Sequence, residues 1–128
     1  MLQDEKVLLC KEECYKIVGA CMAVHRELGH GFLESVYQEA LAIEFQKQGI
    51  PFQREKEIGI IYKGVTLSKT YKADFICHNQ IIIELIALGG LTNNHVAQIL
   101  NYLKATSLRV GLLVNFGAPS LEHHKYVL

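Results

Sequence analysis

Two acidic residues on neighbouring apolar segments are the positions of this chain best suited to chemistry. Asp74 ends the short run 71–74 (YKAD), and Glu84 lies inside the apolar run 81–86 (IIIELI). A charged acid within an apolar strand is unfavourable unless it has a partner, because it loses its hydration there. Clustered carboxylates commonly hold a hard cation such as Mg²⁺. We therefore interpret Asp74 and Glu84 as candidate ligands of Mg²⁺ or Mn²⁺.

The two acids are expected on one face of a β-hairpin. Residues 69–77 and 81–88 are rich in β-branched and apolar side chains and are joined by a short turn, which predicts paired strands. In that pairing Asp74 and Glu84 can point the same way and repel, which raises the pKa of each unless a cation lies between them. The alternative is an ion pair of Asp74 with Lys72, or of Glu84 with a lysine.

Strand alternation also places the neighbours of these acids. Lys72 is expected to share the face of Asp74, and Ile86 the face of Glu84. The opposite face of the first strand is predicted to carry the side chains of Tyr71, Ala73 and Phe75.

Helices before the sheet must help to position these strands. Residues 4–28 carry an apolar stripe at alternating steps of three and four, which predicts a helix. Three of the four cysteines, Cys10, Cys14 and Cys21, lie on that stripe. We interpret them as small buried hydrophobes rather than metal ligands.

A second helix is predicted at residues 33–48, where Gly49 ends the periodic pattern. Glu34 borders or enters its buried stripe, an unusual position for an acid. The alternative is that Glu34 is a first-turn acid favoured by the helix dipole. The apolar face is expected to consist of Leu33, Val36, Tyr37, Ala40, Leu41 and Phe45.

The later segments complete an α/β (α+β) domain of order ααβββαβ(β), with helices covering a central mixed sheet. Thr92 or Asn93 is expected to cap the third helix. Because that helix separates two buried strands, a parallel crossover is predicted. The segments are, in chain order, strands at 52–62, 65–77 and 81–88, a helix at 94–106, a strand at 109–115 and an edge strand at 123–128.

Composition indicates one ordinary domain over residues 1–128, with 50% hydrophobic and 20% charged residues. The 13 basic and 13 acidic residues give no support for a strongly electrostatic nucleic-acid binder, although a local basic groove is compatible with them. The polar start lacks a leader pattern, and no apolar run reaches the ~20 residues of a membrane span. We therefore expect a cytoplasmic protein with reduced thiols and no membrane partner.

Several motifs, in order, resemble one family. The combined pattern resembles the GxxExxY family, a group of small prokaryotic proteins in the PD-(D/E)XK nuclease superfamily. The resemblance spans residues 14–128 and implies a restriction-endonuclease-like core. The matching motifs are GFLESVY at 31–37, YKAD at 71–74, IEL at 83–85, and Gln98 with Tyr102.

The resemblance implies a role for each matching residue. Asp74 and Glu84 would be the metal-binding acids of the PD and (D/E)XK half-motifs, and Glu34 would complete the metal site. Gln98 and Tyr102, four residues apart on one helix face, would line the catalytic site. The implied activity is Mg²⁺- or Mn²⁺-dependent hydrolysis of nucleic acid.

Ile86 departs from the motif, which carries a lysine at this position. That lysine normally positions or deprotonates the attacking water and stabilises charge on the phosphate, and isoleucine does neither. Loss of a general acid/base group costs ~10²–10⁴-fold in rate, so the resemblance implies impaired catalysis. Lys72 is the best candidate substitute because it shares the strand face of Asp74, whereas Lys104 lies further round its helix.

Two functions are therefore kept open. One is a nuclease with residual activity, and the other is a non-catalytic binding module on the same fold. An apolar C-terminal edge strand and a neutral chain favour self-association into a homo-oligomer in the second case. His95 is expected to approach the site, and the sequence contains no HExxH, GxxxxGK or GxSxG pattern that would indicate another hydrolase class.

Overall fold

The computed structural model describes residues 8–89 and 93–128. The element order in these ranges is the predicted one, and the final edge strand is present. No helix of the described residues is long and apolar enough to cross a membrane. The elements are α1 (Lys11–Leu28), α2 (Glu34–Gln48), β1 (Phe52–Tyr62), β2 (Val65–Cys77), β3 (Ile81–Ile86), α3 (Asn93–Thr106), β4 (Val110–Asn115) and β5 (Glu122–Val127).

The strands form one mixed sheet in the order β1-β2-β3-β4-β5. β1, β2 and β3 form an antiparallel meander, and β5 pairs antiparallel with β4. β3 and β4 are parallel, which confirms the predicted crossover through α3. Two tight turns build the meander, and both use positive φ angles that suit a right-handed twist: Lys63 and Gly64 in the first, His78 and Asn79 in the second.

Helices cover both faces of the sheet. On one face, α1 and α2 pack on β2, β3 and β4 around fully buried side chains such as Ile17, Leu41 and Phe75. On the other face, α3 packs through Ile99 and Leu103. Gly111 of β4 permits this close approach, since a Cβ there would lie 2.9 Å from Ile99 Cδ1.

The cysteines of α1 behave largely as small buried hydrophobes, as predicted. Cys14 and Cys21 are buried in the α1–α2 core, while Cys10 lies half-buried just before the helix. Burial raises the pKa of the Cys14 thiol to about 11, so it stays protonated at neutral pH.

Three predicted details of the helices need revision or lie outside the described residues. The first helix was predicted from residue 4, but the described helix begins at Lys11, and residues 1–7 lie outside the described ranges. Thr92 lies outside them too, so its predicted cap is not described. Leu33 is 75% exposed rather than part of the apolar face, because it has an extended backbone just before α2 begins at Glu34.

The predicted alternation along β2 is wrong at Asp74. Tyr71 and Ala73 pack with Ile76 on the α3 face, whereas Phe75 packs on the α1–α2 face. The β1–β2 register passes from Phe75 to Ala73 without pairing Asp74, and Glu55 of β1 has a φ of 51° at this point. The strand therefore changes its facing across Asp74. The β2–β3 pairing also ends at Phe75, so Asp74 lies where the two strands separate.

Candidate functional site

A pocket of about 330 Å³ lies where β2 and β3 separate, between the start of α2 and α3. The six predicted site residues all line it: Glu34, Lys72, Asp74, Glu84, Gln98 and Tyr102. Ile86, His95 and Tyr71 line it as well. A larger cavity of about 520 Å³ between α1, β4 and β5 is apolar and contains none of these residues. The structure therefore brings the six predicted residues to one pocket and adds Tyr71, which the sequence had placed on the opposite face.

Asp74 is held in place by hydrogen bonds to both of its carboxylate oxygens. The Leu85 backbone N–H donates to Oδ2 at 2.8 Å, and the Gln38 amide Nε2 donates to Oδ1 at 3.1 Å. Gln38 is buried, and its Oε1 accepts a hydrogen bond from Arg54 Nε at 2.9 Å. These bonds fix the carboxylate without giving it a direct ion pair.

Gln38 and Arg54 were not predicted from the sequence. The signal was present for Gln38, which lies four residues after Glu34 on the same side of α2 and next to the core residue Tyr37. A glutamine at such a position requires a buried hydrogen-bond partner. For Arg54 no local pattern distinguishes it from the other polar residues of β1.

Glu84 is half-buried beside two stacked tyrosines. The Tyr71 hydroxyl donates a hydrogen bond to Glu84 Oε1. The Tyr71 ring stacks on Tyr102 of α3, and Gln98 Nε2 donates to the Tyr102 hydroxyl at 2.5 Å. Tyr71 was assigned to the face opposite the site, so its contact with Glu84 follows from the change of facing at Asp74.

Burial, and to a lesser degree the charge of a neighbouring carboxylate, raises the pKa of all three acids. Burial, followed by the charge of Glu34, raises the pKa of Glu84 to about 8, although the Asp74 backbone N–H lowers it in part. Burial raises the pKa of Asp74, and its hydrogen bonds to Leu85 and Gln38 offset part of that rise. Burial and the charge of Asp74 raise the pKa of Glu34, while nearby His95 lowers it. A bound cation would relieve this repulsion.

Glu34 lies at the first turn of α2, where the helix dipole favours an acid. Its side chain is exposed rather than part of the buried stripe, yet it lines the pocket. The ion-pair alternative is wrong for both strand acids: within the described ranges, neither Asp74 nor Glu84 pairs with a lysine.

Carboxylate oxygens are the donors that Mg²⁺ and Mn²⁺ prefer, so the donor chemistry of this pocket fits such a cation. The arrangement is not a closed coordination set. Among the side chains that the structure describes, no group of three or more His, Cys, Asp or Glu residues converges closely enough to hold a metal ion.

Ile86 is buried in the core, with 5% of its surface exposed. It packs against Ile99 of α3 and Leu113 of β4, at the floor of the pocket. The place of the motif lysine is therefore filled by an apolar contact between sheet and helix. Lys72 is exposed at the pocket rim, whereas Lys104 is not part of the pocket's described lining.

Comparisons with known proteins agree with this fold. A sequence profile of the PD-(D/E)XK nuclease superfamily matches residues 11–126. A solved structure titled "Crystal structure of SSO0001" has a similar fold, with a TM-score of 0.57 and 19% identity over 73% of this chain and 48% of that one. The chain thus spans about half the length of that protein. No curated protein sequence matches it. The chain therefore belongs to the PD-(D/E)XK nuclease superfamily, and its carboxylate-lined pocket lies where β2 and β3 separate in a restriction-endonuclease-like fold.

Proposed function

We propose that this chain is a single-domain member of the GxxExxY family, over residues 1–128, with an Mg²⁺- or Mn²⁺-dependent phosphodiesterase activity on nucleic acid that is impaired at Ile86. The observation that carries the proposal is that Glu34, Asp74 and Glu84 line one pocket. A cytoplasmic location accompanies it, since the four cysteines are free thiols.

Asp74 and Glu84 would hold the cation, and Glu34 would complete the site from α2. When bound, the cation would polarise the phosphoryl group and lower the pKa of its water. Gln38 and the Leu85 N–H keep the Asp74 carboxylate aimed into the pocket. Glu84 binds a cation only as a carboxylate, so its pKa of about 8 opposes binding in neutral solution.

Ile86 removes the side chain that would assist the attacking water. Without a general acid/base group the rate falls by ~10²–10⁴-fold. Lys72 at the rim is the candidate substitute, because its ammonium is exposed and adjoins Asp74 in sequence. Its role in this proposal is to approach the scissile phosphate from the solvent side.

The test is a cleavage assay with Mn²⁺ on single- and double-stranded DNA and RNA. Wild type should cleave slowly, Asp74→Ala should not cleave, and Ile86→Lys should gain on the order of 10²-fold, since a lysine stem can lie along apolar surface with its head in the pocket. Ile86→Met is the matched control for packing without charge. Cleavage that persists in Asp74→Ala would contradict the assignment of this pocket.

The alternative function is a non-catalytic binding or self-assembling module. The observation that favours it is the burial of Ile86, which commits the lysine position to packing. On this alternative, wild type shows no cleavage at any cation concentration, and activity emerges only in Ile86→Lys. Sedimentation velocity would then show whether the wild-type chain forms a homo-oligomer.

A further inference from the structure

The β1–β2 hairpin carries an uneven share of the molecule's charge. We define the hairpin arm as residues 56–72, which run up β1, through the turn at Lys63 and Gly64, and back down β2. This segment contains four lysines and one acid, Glu57, so its net charge is four minus one, or +3, in a chain whose net charge is zero. The lysines are Lys56, Lys63, Lys69 and Lys72.

The lysines of the hairpin arm form a path that ends at the site. Lys63 lies at the turn, Lys69 lies midway, and Lys72 lines the pocket. At the tip Tyr62 pairs with Val65, and Lys72 pairs with Glu57, five residues further along β1. A strand rises about 3.3 Å per residue, so the path from the tip to Lys72 spans about 17 Å, or about five base pairs of duplex. All three side chains are exposed, and within the described residues none of them forms an ion pair.

The tip of the hairpin arm is apolar as well as basic. Ile61, Tyr62 and Val65 are 68%, 60% and 63% exposed, although side chains of this kind are usually covered. The Lys63 ammonium lies 5.5 Å from the centre of the Tyr62 ring. An exposed aromatic ring beside a cation is the combination that stacks on a base while contacting its phosphate.

We propose that the hairpin arm binds the phosphodiester backbone of a nucleic acid and leads it into the carboxylate pocket. This inference rests on the proposed function, which makes nucleic acid the substrate, and adds the surface that holds it. The charge selects this partner over a second copy of the chain, because two identical arms of charge +3 repel each other. It also resolves how a neutral chain could bind a polyanion: the basic residues are concentrated where the substrate would lie.

The test measures binding apart from cleavage, by filter retention of a labelled DNA duplex of about 24 base pairs in EDTA between about 50 and 200 mM salt. In the double variant Lys63→Gln with Lys69→Gln, the slope of log K against log salt should become shallower by about 1.8, since each lost phosphate contact removes about 0.9. The matched control, Lys16→Gln with Lys47→Gln, removes two exposed lysines from α1 and α2 and should leave the slope unchanged.

The same assay with single-stranded DNA and RNA of the same sequence identifies the form of backbone that is preferred. Tyr62→Ala should weaken binding of the single strands more than binding of the duplex, because only unpaired bases are free to stack on the tyrosine ring. Equal slopes for the arm variant and its control would overturn the proposal, as would absence of wild-type binding to all three probes. The proposal would also be overturned if the wild-type chain sediments as a dimer and the arm variant sediments as a monomer. A cleavage assay that fails while the slope changes would reject the proposed activity but leave the arm as a binding surface.

Discussion

Glu84 is the carboxylate whose surroundings most oppose its charge. It is half-buried in β3, lines the same pocket as Glu34 and accepts a hydrogen bond from Tyr71. The folded state therefore holds its proton up to a pKa of about 8, against an ordinary value of 4.5. A bound cation would lower the pKa of such a carboxylate again, because it favours the charged form.

The elevated pKa of Glu84 predicts a particular pH dependence of folding. Because the folded-state pKa is raised, its stabilising contribution is complete below pH ~4.5 and is lost as pH rises to ~8, at up to about 1.4 kcal/mol per pH unit. Glu84→Gln should flatten the decline of the free energy of unfolding across this window. The measurement is urea unfolding in EDTA at a series of pH values.

Glu39→Gln, on the exposed side of α2, is the matched control and should follow the wild-type pH profile. A Glu84→Gln profile as steep as that of the wild type would show that this proton does not control the slope.

At the scale of elements, a chain of hydrogen bonds through the buried Gln38 connects three parts of the fold at the pocket. Arg54 of β1 donates to Gln38 of α2, which in turn donates to Asp74 of β2. The chain passes through the point where β1–β2 pairing omits Asp74. The amide thus replaces strand contacts that the sheet does not supply here.

Gln38→Leu should destabilise the protein and loosen its site. It leaves Arg54 without its acceptor and one oxygen of Asp74 without its donor, which costs about 1–3 kcal/mol. The measurements are urea unfolding and a Mn²⁺ titration, in which positioning of Asp74 should appear as cation affinity weakened by on the order of tenfold. Gln48→Leu is the control, because Gln48 is exposed and donates its hydrogen bond to Glu44 on the same helix.

Equal Mn²⁺ affinity in wild type and Gln38→Leu, despite lower stability, would mean that Gln38 supports the fold alone.

The helices and strands could be predicted from the sequence, whereas the contacts at their junctions could not. Runs such as residues 81–86 and the stripe of α1 have clear periodicities, so the order and the parallel crossover were predictable. The facing of Tyr71 was not, because it depends on a pairing that omits Asp74. The prediction that Leu33 belongs to the apolar face of α2 was wrong for a similar reason: the last residue before a helix does not follow the periodicity of the helix. Gln38 and Arg54 became site residues only through contacts between elements.

At the scale of the whole molecule, a cation would connect elements far apart in the chain: α2, β2 and β3. That Glu34 lines the same pocket as Asp74 and Glu84 could be predicted only through the family resemblance, since spacing alone does not bring residue 34 to residue 84. Any ligand that binds only the folded chain stabilises all of it by mass action. The shift in global unfolding on adding a cation therefore measures cation binding at this pocket.

Mn²⁺ should raise the unfolding temperature, and more so at pH ~8.5 than at pH ~6.5, because Glu84 must lose its proton to bind. At a free concentration of about ten times Kd the gain is about 1.4 kcal/mol, or about 5 °C for a domain of this size. Calorimetry of wild type and Asp74→Asn tests this, with no shift expected in the variant. An identical rise in both proteins would assign the cation to another surface.

The stacked pair of Tyr71 and Tyr102 has a spectroscopic consequence. The chain contains six tyrosines and no tryptophan, so its ultraviolet emission comes from tyrosine alone. Two of these six line the pocket, and Tyr71 donates a hydrogen bond to Glu84, a contact through which the ionised carboxylate would quench tyrosine emission. A cation that draws Glu84 away from Tyr71 would brighten that ring. The protein thus carries an unlabelled optical reporter inside the pocket where its chemistry is expected.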